Sequence, residues 1–130
     1  MRTVSLLQLG LGGVGRALVE QVLRFNRHVG PHYDLQFVYE AIVDRSGALV
    51  QPNAMMVEQA MELKRRGGSL RDLGQPLSDW LNLLPSTPCI VVDVTAQDGM
   101  EDALGKAVSN GHGVVLANKK PLCAGYDTFV

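Results

Sequence analysis

The segment Gly10-Leu11-Gly12-Gly13-Val14-Gly15 carries the pattern G-x-G-x-x-G at Gly10, Gly12 and Gly15. Alone this pattern is weak. It gains meaning when it leaves a strand and opens a helix. The first glycine then allows a tight turn, the second lets the backbone approach a pyrophosphate, and the third lets the helix pack closely on the sheet. Unpaired N–H groups and the positive pole of the helix hold the phosphates. The chemistry this points to is binding of a dinucleotide, NAD or NADP, with Gly10, Leu11, Gly12, Gly13, Val14 and Gly15 as candidate contacts. The bland reading is a glycine-rich turn that binds nothing.

Asp44-Arg45-Ser46 closes a run of aliphatic and aromatic residues. A carboxylate there suits the ribose hydroxyls of NAD, although Asp44 stands farther from the glycines than the usual spacing of about 20. Alternatively it caps its own loop. Arg45 beside it could pair with a 2′-phosphate and admit NADP, and Ser46 could bond the same group. Two further apolar runs end in polar residues: Val91-Val92-Asp93-Val94-Thr95-Ala96, and Gly113-Val114-Val115-Leu116-Ala117-Asn118-Lys119. In an open α/β sheet the carboxyl ends of the strands face the ligand crevice. Thr95, Ala96, Asn118 and Lys119 should therefore gather near the glycine loop. Asp93, inside its strand, reads as a structural hydrogen-bonding group.

Positioning these residues requires a particular order of elements. Val4–Leu9 reads as a buried strand, followed by a helix whose apolar stripe is Val14, Leu18, Val22, Phe25 and Val29, stopped by Gly30-Pro31. Residues 35–43 read as a second strand, 46–53 as a loop, and 54–66 as a helix ended by Gly67-Gly68. A short strand near Leu70 and a short helix at 77–84 follow. Residues 88–95 read as a clear buried strand. Met100, Leu104, Ala107 and Val108 mark a helix, and 113–117 a last strand. This order predicts an α/β fold: a Rossmann-type, doubly wound, mostly parallel sheet with helices on both faces.

The whole chain, 130 residues with 46% hydrophobic and 19% charged residues, fits one globular domain of residues 1–130. A formal net charge of −1 gives no reason to expect nucleic acid. The apolar stretch at the N-terminus is too short for a membrane span. Two cysteines are too few for a disulfide framework, which points to a reducing, cytoplasmic setting. The last residues, Phe129-Val130, lack a capped helix or polar tail, as expected for one part of a longer protein.

Taken together, the glycine loop, the Asp93-Val94-Thr95 strand and the Asn118-Lys119-Lys120-Pro121-Leu122 element resemble the N-terminal domain of homoserine dehydrogenases. The family joins G-x-G-x-V-G, D-x-T and V-V-x-x-N-K-x-P-L in this order, and the resemblance covers nearly the whole chain. It implies reversible hydride transfer between NAD(P)H and L-aspartate 4-semialdehyde, giving L-homoserine for threonine, methionine and isoleucine synthesis. It also implies that Thr95 and Ala96 lie by the nicotinamide and its ribose. Ala96, where the family often has Ser, would contribute backbone only. Asn118 would help fix the cofactor. Lys119 would be one of two active-site lysines, the catalytic residue of this chain, with Lys120 a weaker candidate. The second lysine, the substrate-binding carboxylates and the dimerisation region would lie in a later domain. This chain alone should then bind cofactor without turnover, the full-length form being a homodimer.

Other residues read blandly. His28, His32 and His112 have no metal-ligand spacing, and no metal site is expected. Cys89 reads as a packed thiol, and Cys123 lacks an identifiable base. Lys64-Arg65-Arg66 reads as a solvated helix cap, and Trp80 as core or a domain contact. The competing readings are another two-domain amino-acid or semialdehyde dehydrogenase, and a nucleotide-sensing module without catalysis.

Overall fold

The computed structural model describes residues 1–76, 79–95, 97 and 99–117. Its strands are β1 (Arg2–Leu9), β2 (Leu35–Val43), β3 (Gly47–Val50), β4 (Gln75–Pro76), β5 (Ile90–Asp93) and β6 (Gly113–Leu116). Its α-helices are α1 (Gly13–His28), α2 (Gly30–Tyr33), α3 (Ala54–Arg65) and α4 (Glu101–Ser109). They build one sheet in the order β4-β3-β2-β1-β5-β6. β2, β1, β5 and β6 run parallel, while β3 and β4 are antiparallel additions at one edge.

Two apolar layers flank this sheet. On one face Leu6, Tyr39 and Ile42 meet Val19 and Val22 of α1 and Val57, Ala60 and Met61 of α3. On the other, Leu7, Leu9, Ala41 and Val91 meet Leu104 and Ala107 of α4 and the indole of Trp80. Helical elements thus cover both faces of a mostly parallel sheet, as the order of elements predicts.

β2 changes face partway. Leu6 pairs with Tyr39 but Leu7 pairs with Ala41, so Glu40 is an extra residue and forms a bulge. Below it Phe37 and Tyr39 point toward α1. Beyond it Ala41 and Val43 point to the opposite face. Before the bulge, Asn26 of α1 closes the strand's outer edge. Its Nδ2 donates to the Phe37 carbonyl at 2.8 Å and its Oδ1 accepts from the Phe37 amide at 2.9 Å. The side-chain amide stands where a neighbouring strand would be. Asn26→Ala leaves a half-buried donor and acceptor unpaired, so a loss of about 2 kcal/mol is expected in chemical denaturation. A loss below a few tenths would mean that water replaces the side chain freely.

Several expectations need correction. The first helix does stop before Gly30-Pro31, as expected, but these residues open a second, short helix that was not expected. α1 ends at His28, and Gly30–Tyr33 starts a further turn, which Asp34 ends with a left-handed φ of 54°. A proline suits a helix start, where its missing N–H is no loss. The stripe is also shifted: α1 buries Gly15, Val19 and Val22, while Val14 and Val29 are exposed. Residues 46–53 are not all loop, because Gly47–Val50 turns back antiparallel onto β2. Leu70 opens a 3-10 turn (Leu70–Asp72) instead of a strand, and the helix expected at 77–84 is a 3-10 turn over Trp80–Leu83.

Among the described residues, no helix is long and apolar enough to cross a membrane. No group of three or more His, Cys, Asp or Glu among them could hold a metal ion.

Candidate functional site

The carboxyl ends of β1, β2 and β5 converge because the strands are parallel and in register. The Gly10 amide donates to the Val43 carbonyl at 2.7 Å, and the Val94 amide to the Leu9 carbonyl at 2.9 Å. Above these ends lies a groove of about 690 Å³, within the range of small-molecule sites. Its walls come from the glycine loop, the Asp44–Ser46 turn, the end of α3, Trp80, and the stretch after β5.

The glycines divide into two kinds. Gly10 has a φ of +106°, and a Cβ there would stand 3.1 Å from the Thr95 methyl. A Cβ on Gly15 would stand 2.5 Å from the Gly10 carbonyl oxygen. The fold itself therefore demands glycine at 10 and 15. Gly12 and Gly13 differ: a Cβ on either meets no protein atom within 4 Å, and Gly12 has an ordinary φ of −77°. Both are exposed and line the groove. Neither packing nor backbone conformation asks for glycine at these two positions.

Gly12 is the N-cap of α1, no side chain caps the helix, and its first turn has no acidic residue. The positive pole of a 16-residue helix thus opens on the groove without a resident anion. Leu11 is buried in the core, so its backbone alone belongs to the loop's outer surface. Val14 is 63% exposed and lines the groove.

Asp44 does what a loop cap does. Its Oδ1 accepts from the Ser46 amide, the Ser46 hydroxyl and the Gly47 amide at 2.8–2.9 Å. Its Oδ2 accepts from Lys64 Nζ and the Leu70 amide, both at 3.0 Å. Burial pushes its pKa up, but the bonds from Leu70, Ser46 and Lys64 outweigh burial and hold it down at about 2. A ribose hydroxyl would have to compete with these five donors. Lys64, expected as a solvated cap, is instead the ion-pair partner of Asp44, while Arg65 and Arg66 make exposed pairs with Glu20 and Glu62. Arg45 is exposed at the groove.

Thr95 lies against Gly10. Its amide and hydroxyl both donate to Asp93 Oδ1, at 2.9 and 2.6 Å. Asp93 is wholly buried and orients the turn after β5, the structural role expected of it. Ala96, Asn118, Lys119, Lys120 and Cys123 lie outside the described residues. β6 pairs with β5 along its length, and the Ala117 amide donates to the Asp93 carbonyl at 2.9 Å. The chain thus leaves β6 on the same side of the sheet as Thr95. Sequence reasoning missed Lys64, Ser69, Trp80 and Met100 as groove residues. Lys64 and Trp80 lie in helical segments and Ser69 and Met100 stand at the starts of others, and local periodicity says nothing about which end of the sheet such residues reach.

The remaining expectations are simple to place. His28 and His32 are exposed, and Cys89 is buried. His112 is buried and its Nδ1 accepts from the Cys89 amide at 3.1 Å. That pair sits at the amino ends of β5 and β6, away from the groove.

Comparison with known proteins agrees with this geometry. The sequence model of the family described as homoserine dehydrogenase, NAD binding domain, matches residues 10–128. A homoserine dehydrogenase of Pyrococcus horikoshii is 31% identical over 95% of this chain, which spans 38% of that protein. A solved hyperthermophilic archaeal homoserine dehydrogenase in complex with NADPH superposes with a TM-score of 0.79 at 28% identity, over 98% of this chain and 39% of that one. The homoserine dehydrogenase of Thermoplasma acidophilum gives the same TM-score at 19% identity, over 98% of this chain and 39% of that one, a likeness of fold. With the family's sequence model running through the glycine loop, the Asp93–Thr95 strand end and the Asn118-Lys119 element, this chain belongs to the homoserine dehydrogenase NAD-binding domain family.

Proposed function

We propose that this chain is the cofactor-binding part of an NAD(P)-dependent oxidoreductase that interconverts L-aspartate 4-semialdehyde and L-homoserine. One observation carries the reading. Gly12 and Gly13 keep a cradle clear that a Cβ would fill, although nothing in the protein occupies it. The uncapped start of α1 above it suits a pyrophosphate. The dinucleotide, when bound, supplies or accepts the hydride.

The chain's own residues bind and orient. The backbone from Gly10 to Gly15 holds the phosphates, with Val14 as an apolar contact. In the proposed reading Thr95, fixed by Asp93, and the backbone of Ala96 contact the nicotinamide and its ribose, and Asn118 takes part in fixing the cofactor. Lys119 is the active-site ammonium. Charge grows on the aldehyde oxygen as hydride reaches carbon, and a lysine there stabilises it or gives it a proton. Trp80 and Met100, both buried, add apolar surface to the groove wall. The second substrate wall belongs to the remaining length of the relatives, of which this chain spans 38%.

At the adenosine end Lys64 neutralises Asp44 and Arg45 adds a positive charge. This arrangement accepts a 2′-phosphate instead of repelling it. The test is calorimetric titration with NADH and, separately, NADPH. Saturable binding is expected, with NADPH at least as tight as NADH, and no turnover of homoserine by this chain alone. A folded chain that bound neither cofactor at millimolar concentration would rule out a self-sufficient dinucleotide site.

A further inference from the structure

A glutamine has no obvious place in the middle of a buried strand. Yet Gln8 sits among Ser5-Leu6-Leu7 and Leu9 with no exposed surface. A polar side chain so deep in the core must be fully paired or it costs stability, and Gln8 is paired in a way that concerns the groove. Its Nε2 donates to the Gly10 carbonyl at 2.9 Å and to the Gly15 carbonyl at 3.0 Å. Both N–H bonds of one amide are thereby spent on the first and last glycines of the loop. Its Oε1 accepts from the Tyr39 hydroxyl at 2.8 Å. Tyr39 is itself buried, on the same face of the sheet. Burial pushes the Tyr39 phenol above its usual range, so it keeps its proton and always donates.

The partners fix the amide's orientation, since two carbonyls require the NH2 and a phenol O–H requires the oxygen. Glutamate could not donate to two carbonyls, and leucine or methionine could donate to neither. The tie spans the closest approach in the loop, where the Gly10 oxygen packs against Gly15. It joins the turn out of β1 to the first turn of α1, and so sets the path of the Leu11–Val14 backbone between them.

We propose that Gln8 is a positioning residue for the glycine loop, holding its backbone in the ligand-ready shape before any ligand arrives, and that Tyr39 acts on the loop only through Gln8. This rests on the reading of the groove as a dinucleotide site, and a preformed loop binds without a cost of ordering.

The test uses Gln8→Met, Tyr39→Phe and the double variant, with two readouts: cofactor affinity, and amide hydrogen exchange over residues 10–16 without cofactor. Gln8→Met is expected to weaken binding roughly tenfold and speed loop exchange by a similar factor, and Tyr39→Phe about threefold in each. The double variant is expected to match Gln8→Met, because Tyr39 then has nothing to orient. A purely structural Gln8 would lower the melting temperature but leave affinity and loop exchange of the folded chain at wild-type values, which overturns the proposal. An additive double variant overturns the part assigned to Tyr39. If Gln8→Met fails to fold, Tyr39→Phe decides, and unchanged loop exchange in it counts against the tie. If the unaltered chain binds neither cofactor, the dinucleotide reading falls, while exchange still decides whether Gln8 holds the loop.

Discussion

Gly12→Ala is expected to weaken dinucleotide binding by roughly a hundredfold, about 2.7 kcal/mol, while the chain stays folded. The added methyl touches no protein atom, and a φ of −77° suits any residue. The folding cost is therefore limited to exchanging one N-cap residue for a poorer one, about 1 kcal/mol at most. The binding cost is different in kind, because under the proposed reading the methyl enters the open space kept for a phosphate against the backbone. Gly15→Ala is the control with the opposite balance. Its methyl would stand 2.5 Å from the Gly10 oxygen, and overpacking of this sort costs about 1–3 kcal/mol of stability. Calorimetry and thermal melts on both variants separate the two effects. Wild-type affinity in Gly12→Ala would mean that the loop is a turn and nothing more.

That contrast also marks what the sequence could reveal. The G-x-G-x-x-G spacing, the runs of β1 and β5 and the period of α3 and α4 are local signals, and local signals survive into the fold. The pattern assigns Gly10 and Gly15 to the fold and Gly12 to the approach of a ligand, and the surroundings of the three agree; it says nothing of Gly13, whose open surroundings depend on what lies across the turn. The bulge at Glu40 is hidden for a similar reason. Val38 to Val43 is an apolar run interrupted only by Glu40, and only pairing with β1 shows that the alternation slips there. β3 has four residues, the first three buried, and so lacks the alternation that identifies a half-exposed strand. Gln8 does stand out in the sequence as a polar residue in a core strand. Its partners Gly10 and Gly15 are near, but Tyr39 comes from the neighbouring strand and needs the register to be found.

For Asp44 the loop cap was one of two readings its position offered, but the partners that decide between them were not legible, since Lys64 and Leu70 reach it from a distant helix and turn. Asp44→Asn is expected to destabilise the fold by about 2 kcal/mol. An amide NH2 would face the Lys64 ammonium and the Leu70 amide, leaving donors against a donor and a half-buried cation without its partner. The side chain of Lys64 keeps 21% exposure, so water relieves part of the loss and the value stays below that of a fully buried pair. Acid gives an independent readout. The carboxyl's pKa falls from an ordinary 3.8 to about 2 on folding, so the folded state holds the proton less tightly than the unfolded state. The contribution is therefore complete above about pH 4 and is lost as pH falls through about 2. Stability curves of the wild type and Asp44→Asn should lie apart at neutral pH and converge over that window. Curves that stay parallel down to pH 2 would remove Asp44 as the source of the difference. A variant of unchanged stability but altered NADH-to-NADPH ratio would return Asp44 to the ribose, with the five hydrogen bonds a minor matter. Loss of stability is the expected result, because the carboxylate's five hydrogen bonds organise the turn that places Arg45 at the groove.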